Sequence, residues 1–251
     1  MKNLKNEGRL GPERYFMKRK GFVLRLGIRE YNEILDLQKR MNSARKQNAI
    51  PDTVIFLEHN PCITIGVQGN HDSIVVSRQL LKNKGIEIYE TDRGGSITYH
   101  GPGQIVCYPI IDLNNYGCDV TTYARNLEEM VIRTLNSFGI SSRRKKNYPG
   151  VWVDGKRKIA AQGISVDRWV TMHGISLNVS PAMGHFSLII PCGLTGYEVV
   201  SMTEYLGQTM DVSTVISEMI RQFSKLFDIK LEEIGEDKIM ELLDYEQDQA
   251  S

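Results

Sequence analysis

One cysteine of this sequence is predicted to lie in a turn that leaves its thiol accessible. Cys192 follows the apolar run 186–190 and stands between Pro191 and Gly193. The proline fixes the backbone on one side, and the glycine removes side-chain bulk on the other. The thiolate is the attacking species, and a free thiol is only a few per cent ionised at neutral pH. A nucleophilic Cys192 therefore needs a positive charge or a base beside it.

Lys158, in the segment GKRKIAAQG, is the candidate for that charge. We predict a hairpin whose two-residue turn is Asp167-Arg168, so that Gln162 pairs with His173 and Lys158 with Leu177. Lys158, Gln162 and His173 would then share one face. An ammonium about 4 Å from a thiolate stabilises it by a few kcal/mol at an effective dielectric near 20, and a pKa unit corresponds to about 1.4 kcal/mol. The alternative is a lysine at the start of a strand with its amine in solvent.

The segment RGGSITYHGPGQ, residues Arg93–Gln104, predicts a binding loop. Its glycines allow positive φ and close approach of the backbone to a ligand, and they surround an arginine, a tyrosine and a histidine. The alternative is a glycine-rich turn between two strands. The pattern GxxxxGK[ST] of a phosphate-binding loop is absent.

Composition narrows the class of protein. The chain has 251 residues, of which 41% are hydrophobic and 24% charged, with a formal net charge of +1. We expect a single catalytic domain over 1–251, with a polar N-terminal tail (1–20) and a polar acidic C-terminal tail (233–251). The near-zero net charge argues against a nucleic-acid partner, and no apolar run approaches the roughly 18 residues of a membrane helix. The N-terminus has no apolar signal segment, so we expect a cytoplasmic protein.

The four cysteines form neither a CxxC pair nor a zinc-ligand spacing, so we predict reduced thiols and no metal. Cys62 and Cys107 begin or lie in apolar runs and are expected to be buried, and Cys118 is expected in a loop.

Periodicity predicts strands and helices that intermix without regular alternation. Strands are expected in 22–27, TVIFLEH, CITIG and IEIYETD, and helices over 119–138 and 213–227. This pattern favours an α/β or α+β fold around a mixed central sheet with flanking helices.

Several segments together resemble the LipB-type octanoyltransferases, the lipoyl(octanoyl) transferases of lipoate biosynthesis. They are RGGSITYHGPGQIVCYPIIDL, GVWVDGKRKIAAQGISV, HGISLNV and IIPCGL, in the family's order and spacing. LEHNPCITIG is similar to an earlier family motif, with Asn60 where proline is more usual. The resemblance covers roughly residues 50 to 205.

The resemblance implies the fold of the biotin and lipoate protein ligases. It also implies transfer of an octanoyl group from acyl carrier protein to a lysine of lipoyl domains, either those of 2-oxoacid dehydrogenase complexes or the glycine cleavage H protein. The thioester-forming cysteine falls on Cys192, and the lysine that lowers its pKa falls on Lys158. No metal, nucleotide or other cofactor is implied. The implied substrate contacts are Arg93, Gly94, Gly95, Ser96, Ile97, Thr98, Tyr99, His100, Ala161, Gln162, Gly163, Gly174, Ile175 and Ser176, with His173 as pocket support.

Three other functions stay open. A ligase of the same fold would activate lipoate or biotin with ATP and would not need Cys192. A non-catalytic protein that binds acyl carrier protein would not need Lys158. A cysteine hydrolase would use His100 or His173 as its base and release free acid. The basic run RRKK (143–146) is either a solvated surface or a docking site for an acidic carrier protein.

Overall fold

The computed structural model describes residues 19–190 and 197–249 of the chain. The strands are β1 (Arg19–Arg29), β2 (Thr53–His59), β3 (Cys62–Ile65), β4 (Glu87–Glu90), β5 (Ile97–His100), β6 (Gln104–Ile110), β7 (Ser142–Lys145), β8 (Tyr148–Val153), β9 (Arg157–Asp167), β10 (Val170–Asn178), β11 (Glu198–Val199) and β12 (Ile229–Glu233). The helices are α1 (Tyr31–Lys46), α2 (Arg78–Asn83), α3 (Val120–Ser137), α4 (Met202–Leu206), α5 (Val212–Leu226) and α6 (Glu236–Gln249), and short 3₁₀ turns cover His71–Ser73, Leu113–Tyr116 and Met183–Leu188.

A large mixed sheet forms the centre of the described chain. Its strand order is β12-β1-β2-β6-β10-β9-β8-β7, and β11 pairs with β9. The pairs β12/β1, β1/β2 and β11/β9 are parallel, whereas β2/β6, β6/β10, β10/β9, β9/β8 and β8/β7 are antiparallel. The predicted mixed sheet with flanking helices is therefore confirmed.

The two faces of this sheet carry separate cores because neighbouring side chains of a strand point to opposite faces. In β2, Val54 and Phe56 pack with α3 and α5, whereas Ile55 and Leu57 pack with α1 and α6. Asp119 is the N-cap of α3, and its exposed carboxylate accepts hydrogen bonds from the first backbone amides of the helix. The predicted helices over 119–138 and 213–227 correspond to α3 and α5.

A second, small sheet has the strand order β4-β3-β5. Its core includes Ile63, Leu81 of α2, Tyr99 of β5 and Leu188 of the 3₁₀ turn Met183–Leu188. The segment Arg93–Gln104, predicted as one binding loop, is interrupted by β5. Residues 93–96 belong to the connection from β4 to β5, and residues 101–103 connect β5 to β6. We call residues 93–96 the glycine-rich loop.

The hairpin register differs from the prediction by two residues. Asp167 pairs with Val170, so the turn residues are Arg168 and Trp169, both with positive φ (48° and 66°). Asp167 stays in β9, where its carboxylate binds the Lys46 ammonium. The predicted pairs of Gln162 with His173 and of Lys158 with Leu177 are therefore wrong, and Gln162 pairs with Ile175.

The C-terminal segment is also different from its prediction as a tail. Residues 236–249 form α6, and Ile239 and Leu243 are buried against α1. Acidic residues are frequent in this segment, but Ile239 and Leu243 lie one turn apart and, with the partly buried Met240 and Leu242, attach the helix to the core. At the other end, residues 19 and 20 of the expected N-terminal tail belong to β1, and 1–18 lie outside the described residues.

Candidate active site

Lys158 lies at the beginning of β9, between two other strands. Trp152 of β8 pairs with it on one side and Val199 of β11 on the other, and the amide of Val200 donates to the Lys158 carbonyl at 3.0 Å. The Lys158 Nζ lies 5.3 Å from the centre of the Trp152 ring. An aromatic face attracts an ammonium group, so the ring helps to hold this charge in place. The strands thus fix the Lys158 backbone while its amine reaches a cavity.

That cavity is narrow, with a volume of about 70 Å³, and mostly apolar; we call it the slot. It contains most of the residues that the sequence assigned to substrate binding. Its lining is Arg93, Gly95, Ser96, Ile97, Thr98, His100, Gln104, Val106, Tyr108, Lys158, Ala160, Ala161, Gln162, Gly163, Gly174, Ile175, Ser176, Asn178, Phe186 and Val199.

A wider and more polar cavity of about 690 Å³ adjoins the slot; we call it the polar groove. Both cavities share Gly95, Ser96, Lys158, Gln162 and Gly163. The Lys158 side chain therefore stands where the slot meets the groove. The groove lining is Gln68, Asn70, Ser73, Gly94, Gly95, Ser96, Ala124, Asn147, Tyr148, Pro149, Lys158, Gln162, Gly163 and Ile164.

The buried Arg93 guanidinium shapes the glycine-rich loop from within. It donates to the Thr64 carbonyl at 2.7 Å, to the Thr64 hydroxyl at 2.9 Å and to the Gly94 and Ser96 carbonyls at 3.0 and 3.3 Å. The planar fork of an arginine can serve several acceptors at once. Arg93 therefore connects the loop to the end of β3, in addition to lining the slot.

Backbone contacts hold the same loop against β9. The Gly94 amide donates to the Ile164 carbonyl at 2.9 Å, and a Cβ on Gly163 would lie 2.6 Å from the Gly94 carbonyl oxygen. Only glycine allows the two backbones to approach this closely. The glycines of the two sequence motifs are thus the places where loop and strand meet.

His100 begins a chain of buried hydrogen bonds that crosses the site. Its Nδ1 lies 2.6 Å from Gln104 Oε1, and the Gln104 amide donates to Asn178 Oδ1 at 2.9 Å. The Asn178 amide donates to the Val200 carbonyl at 3.3 Å. Burial, followed by the nearby His59, holds the pKa of His100 well below its usual value. A lowered pKa makes this imidazole a weaker base, which favours shaping of the slot over proton transfer.

His173 lies beside the slot and does not line it. Its φ is +56°, an uncommon conformation for a residue that is not glycine, and its Nε2 lies 2.8 Å from Asp92 Oδ1. This hydrogen bond is the main cause of a lowered pKa at Asp92. Since Asp92 precedes the glycine-rich loop, the pair fixes the start of the loop to β10.

The remaining predicted residues have three different locations. Gly94 lines the polar groove. Tyr99 lines neither cavity; its ring packs against His185 and Phe186, and its hydroxyl lies 2.8 Å from His185 Nδ1. Cys192 lies in 191–196, outside the described residues, so its distance to Lys158 stays a prediction.

The other cysteines have the expected environments. Cys62 and Cys107 are buried in the two main cores, and burial raises the pKa of both thiols. Cys118 is exposed, with a φ of +52° in the loop before α3.

Sequence reasoning missed part of the lining. Gln104 and Asn178 lie at the ends of quoted motifs and carry the polar network. Ala124 and Asn147 line the groove but come from α3 and the β7-β8 turn, where neither a motif nor a charge pattern marks them.

The basic run 143–146 is partly neutralised. Arg144 binds Glu128 and Glu129 at 3.0 and 2.9 Å. The Lys145 ammonium lies 3.8 Å from the centre of the Tyr197 ring and 4.9 Å from that of Trp152. Only part of this charge is therefore available to a partner.

The described ranges contain neither a candidate metal cluster nor a membrane-spanning helix. Within 19–190 and 197–249, no group of three or more His, Cys, Asp or Glu side chains could hold a metal ion. None of the helices in these ranges is both long and apolar enough to cross a bilayer.

Comparisons with known proteins show the family of this chain. Residues 30–224 match the model of the family described as lipoyl protein ligase A/B catalytic domain. An octanoyltransferase from Desulforamulus reducens is 40% identical over 223 residues, 88% of this chain and 97% of that protein. One from Caldanaerobacter subterraneus is 44% identical over 217 residues, 86% of this chain and 94% of that protein.

Solved structures with the same fold are more distant in sequence. A bipartite lipoate protein ligase from Thermoplasma acidophilum superposes with a TM-score of 0.70 at 18% identity, covering 90% of this chain and 91% of that one. A lipoate-protein ligase A bound with ATP gives a TM-score of 0.69 at 17% identity, covering 90% and 93%. These two likenesses support the fold alone.

Proposed function

This chain belongs to the family of lipoyl protein ligase A/B catalytic domains and is an octanoyltransferase of protein lipoylation, and from that premise we propose a thioester mechanism. In it, Cys192 takes the octanoyl group from acyl carrier protein and Lys158 exchanges the protons. The acceptor is a lysine of a lipoyl domain, either in a 2-oxoacid dehydrogenase complex or in the glycine cleavage H protein. The observation that carries the proposal is the position of Lys158, where an apolar slot opens into a polar groove.

The first half-reaction forms the acyl-enzyme. The Cys192 thiolate attacks the thioester carbonyl carbon, a new C–S bond forms and the bond to the carrier sulfur breaks. The departing carrier thiolate takes a proton from the Lys158 ammonium. Because one thioester replaces another, this step needs no ATP. Backbone N–H groups of the glycine-rich loop and near Cys192 would stabilise the tetrahedral oxyanion.

The second half-reaction makes the amide. The acceptor amine attacks the acyl-enzyme carbon, the Cys192 sulfur leaves as thiolate, and the neutral Lys158 amine takes the proton that the nitrogen loses. The starting ionisation states are thereby restored. An amide is more stable than a thioester, so the transfer runs downhill.

The slot and the groove also bear on the ATP-dependent alternative. Among the described residues that line the groove, Lys158 is the one charged side chain. Recognition of transferring phosphates ordinarily relies on several cations, metal-holding carboxylates or both. The described lining thus favours the transferase over a ligase that uses a nucleotide.

We further propose one catalytic domain that acts in the cytoplasm. The site draws on β5 of the small sheet, on β6, β8, β9, β10 and β11 of the large sheet, and on α3. Such a site requires these elements to fold as a unit.

Intact-mass spectrometry after incubation with octanoyl carrier protein tests the mechanism. We expect a mass gain of one octanoyl group on Cys192 that a lipoyl domain then removes. Cys192→Ser should lose this exchangeable adduct, whereas Cys118→Ser, which alters an exposed thiol, should keep it. The acyl-enzyme would be rejected if Cys192→Ser still formed the exchangeable adduct at another site. It would also be rejected if octanoylation of the lipoyl domain required octanoate and ATP.

A further inference from the structure

The polar groove has no assigned role in the proposed transfer. It is about ten times larger than the slot, by the volumes of about 690 and 70 Å³. The two cavities meet beside Lys158 and Gln162. One molecule can therefore extend through both cavities, with its reacting group at the junction.

The groove wall suits a neutral polar chain. Gln68, Asn70, Asn147 and Gln162 offer carboxamide groups, and Ser73 offers a hydroxyl. Carboxamides both donate and accept hydrogen bonds, which complements the N–H and C=O groups of amides. The chemistry of this wall therefore matches an extended chain that contains amide bonds.

The geometry of the proposed reaction leaves one place for such a chain. If the acyl tail fills the slot, the thioester carbonyl lies at the junction, beside Lys158. The part of the donor on the far side of its sulfur must then extend away from the slot, into the groove. We propose that the polar groove binds the amide-containing thiol arm of the donor thioester, an arm of the pantetheine type. This inference rests on the proposed function and adds a donor subsite to it.

Hydrogen bonds within the fold hold the groove lining in place. The Gln162 amide donates to the Ala124 carbonyl at 3.0 Å, which ties β9 to the α3 side of the groove. On the groove wall, the backbone N–H of Gln68 donates to the Gly95 carbonyl at 3.1 Å. Beside Asn147, the Lys146 side chain is exposed, so a cation stands near the outer end, where the arm of a carrier protein ends in a phosphodiester.

Ala124→Leu is the variant that tests this subsite. Leucine keeps the helical propensity of α3 and places a larger side chain in the groove without altering the slot lining. The matched control is Asn136→Leu, at an exposed position of the same helix outside both cavities. Gln68→Ala provides a second variant, which removes a carboxamide instead of adding bulk.

The measurement is the rate constant of acyl-enzyme formation, by intact mass, with two small octanoyl donors. One is octanoyl-pantetheine, and the other is S-octanoyl-mercaptoethanol, which lacks the amides. We expect the wild type to prefer the pantetheine donor by about ten-fold or more, as two amide hydrogen bonds would allow. Ala124→Leu should abolish this preference by slowing the pantetheine donor alone, Gln68→Ala should reduce it about five-fold, and Asn136→Leu should retain it.

The outcomes separate this inference from the function on which it rests. Equal rates with both donors in the wild type, or equal slowing of both in Ala124→Leu, would overturn the donor subsite while the acyl-enzyme stands. Unchanged acylation of Ala124→Leu with slower discharge to a lipoyl domain would assign the groove to the acceptor and equally overturn it. No acylation of the wild type by either donor or by octanoyl carrier protein would reject the proposed function itself.

Discussion

At the scale of single residues, two buried or half-buried cations have different tasks. The Arg93 guanidinium donates hydrogen bonds to carbonyl and hydroxyl oxygens of Thr64, Gly94 and Ser96, so it stabilises the loop. The Lys158 ammonium lies above the Trp152 ring at the junction of two cavities, so it can face a reactant. Substitutions of Arg93 and of Lys158 should therefore have different effects on stability and on the rate of acylation.

Replacing Lys158 by glutamine should slow acylation in a way that alkaline pH partly restores. Without the ammonium, the Cys192 thiol returns toward its ordinary pKa of about 8.5, so the thiolate fraction at neutral pH falls. Loss of the acid/base group adds a decrease of about 100-fold or more. The check is the acylation rate of both proteins between about pH 6 and pH 9, the range that brackets this pKa. The rate of Lys158→Gln should rise steadily with pH relative to that of the wild type, and a constant ratio would contradict the role of the charge.

Arg93→Lys should weaken the loop although the charge is kept. An ammonium cannot reach all the oxygens that the Arg93 fork serves, and buried acceptors that lose a partner cost about 1–3 kcal/mol. We expect a lower urea midpoint and a higher KM for donor. Arg221→Lys, at an exposed arginine paired with Glu218, is the control and should leave both unchanged. Equal behaviour of the two variants would show that the fork geometry of Arg93 is irrelevant.

At the scale of elements, β9 is the element on which the site is built. It carries Lys158, Ala161, Gln162 and Gly163, and it is held by β8 and β11 at its beginning and by β10 along its length. Gly163 lies opposite Gly174 of β10, so the sheet has no side chain there, and the loop carbonyl of Gly94 can approach it.

Gly163→Ala should displace the loop from β9. The new Cβ would lie 2.6 Å from the Gly94 carbonyl oxygen and 3.1 Å from Arg93 Cδ, so backbone must move. Overpacking of this kind costs about 1–3 kcal/mol. We expect a lower unfolding midpoint and slower acylation, measured on the same preparation. Gly184→Ala is the matched control, because its Cβ would meet no atom within 4 Å; the prediction is wrong if both alanine variants behave alike.

Prediction from the sequence succeeded where a local pattern determines the structure. The helix stripe of 119–138 and the apolar runs of β2 and β3 agree with the observed elements. The predicted hairpin register was wrong by two residues. The observed turn has positive φ at Arg168 and Trp169, and Asp167 is held in β9 by its contact with Lys46, which the local sequence does not reveal. Likewise, the polar composition of α6 conceals the apolar residues that attach it to the core.

The candidate site shows the same division. The glycine-rich loop and Lys158 are visible in the sequence because they combine unusual backbone freedom with reactive groups. Ala124 and Asn147 are ordinary residues that become part of a cavity only when α3 and the β7-β8 turn pack beside β9. No local pattern of residue types contains that information.

At the scale of the whole molecule, some basic side chains near the groove are neutralised or covered by neighbours, whereas others are exposed to a partner. The chain has a net charge of +1, so overall attraction of an acidic partner is weak. Near the groove, Arg144 is paired with glutamates and Lys145 lies among aromatic rings. Lys146, next to Asn147 of the groove, and Lys156, in the turn between β8 and β9, are both exposed. These two lysines are the candidates for steering an acidic carrier protein.

Reversing both charges, with Lys146→Glu and Lys156→Glu together, should lower kcat/KM for the carrier-bound donor at low salt by about ten-fold or more. Charge steering acts on the encounter with a macromolecule and is screened by salt, so the difference from the wild type should shrink at high ionic strength. Octanoyl-pantetheine, which lacks the acidic carrier surface, should be used equally well by both proteins. The matched control is Lys20→Glu with Lys230→Glu, a neighbouring pair on β1 and β12 at the other edge of the sheet, with the same change in net charge. If that distant pair lowers turnover as much, only the overall charge of the molecule matters, and Lys146 and Lys156 do not form the docking surface.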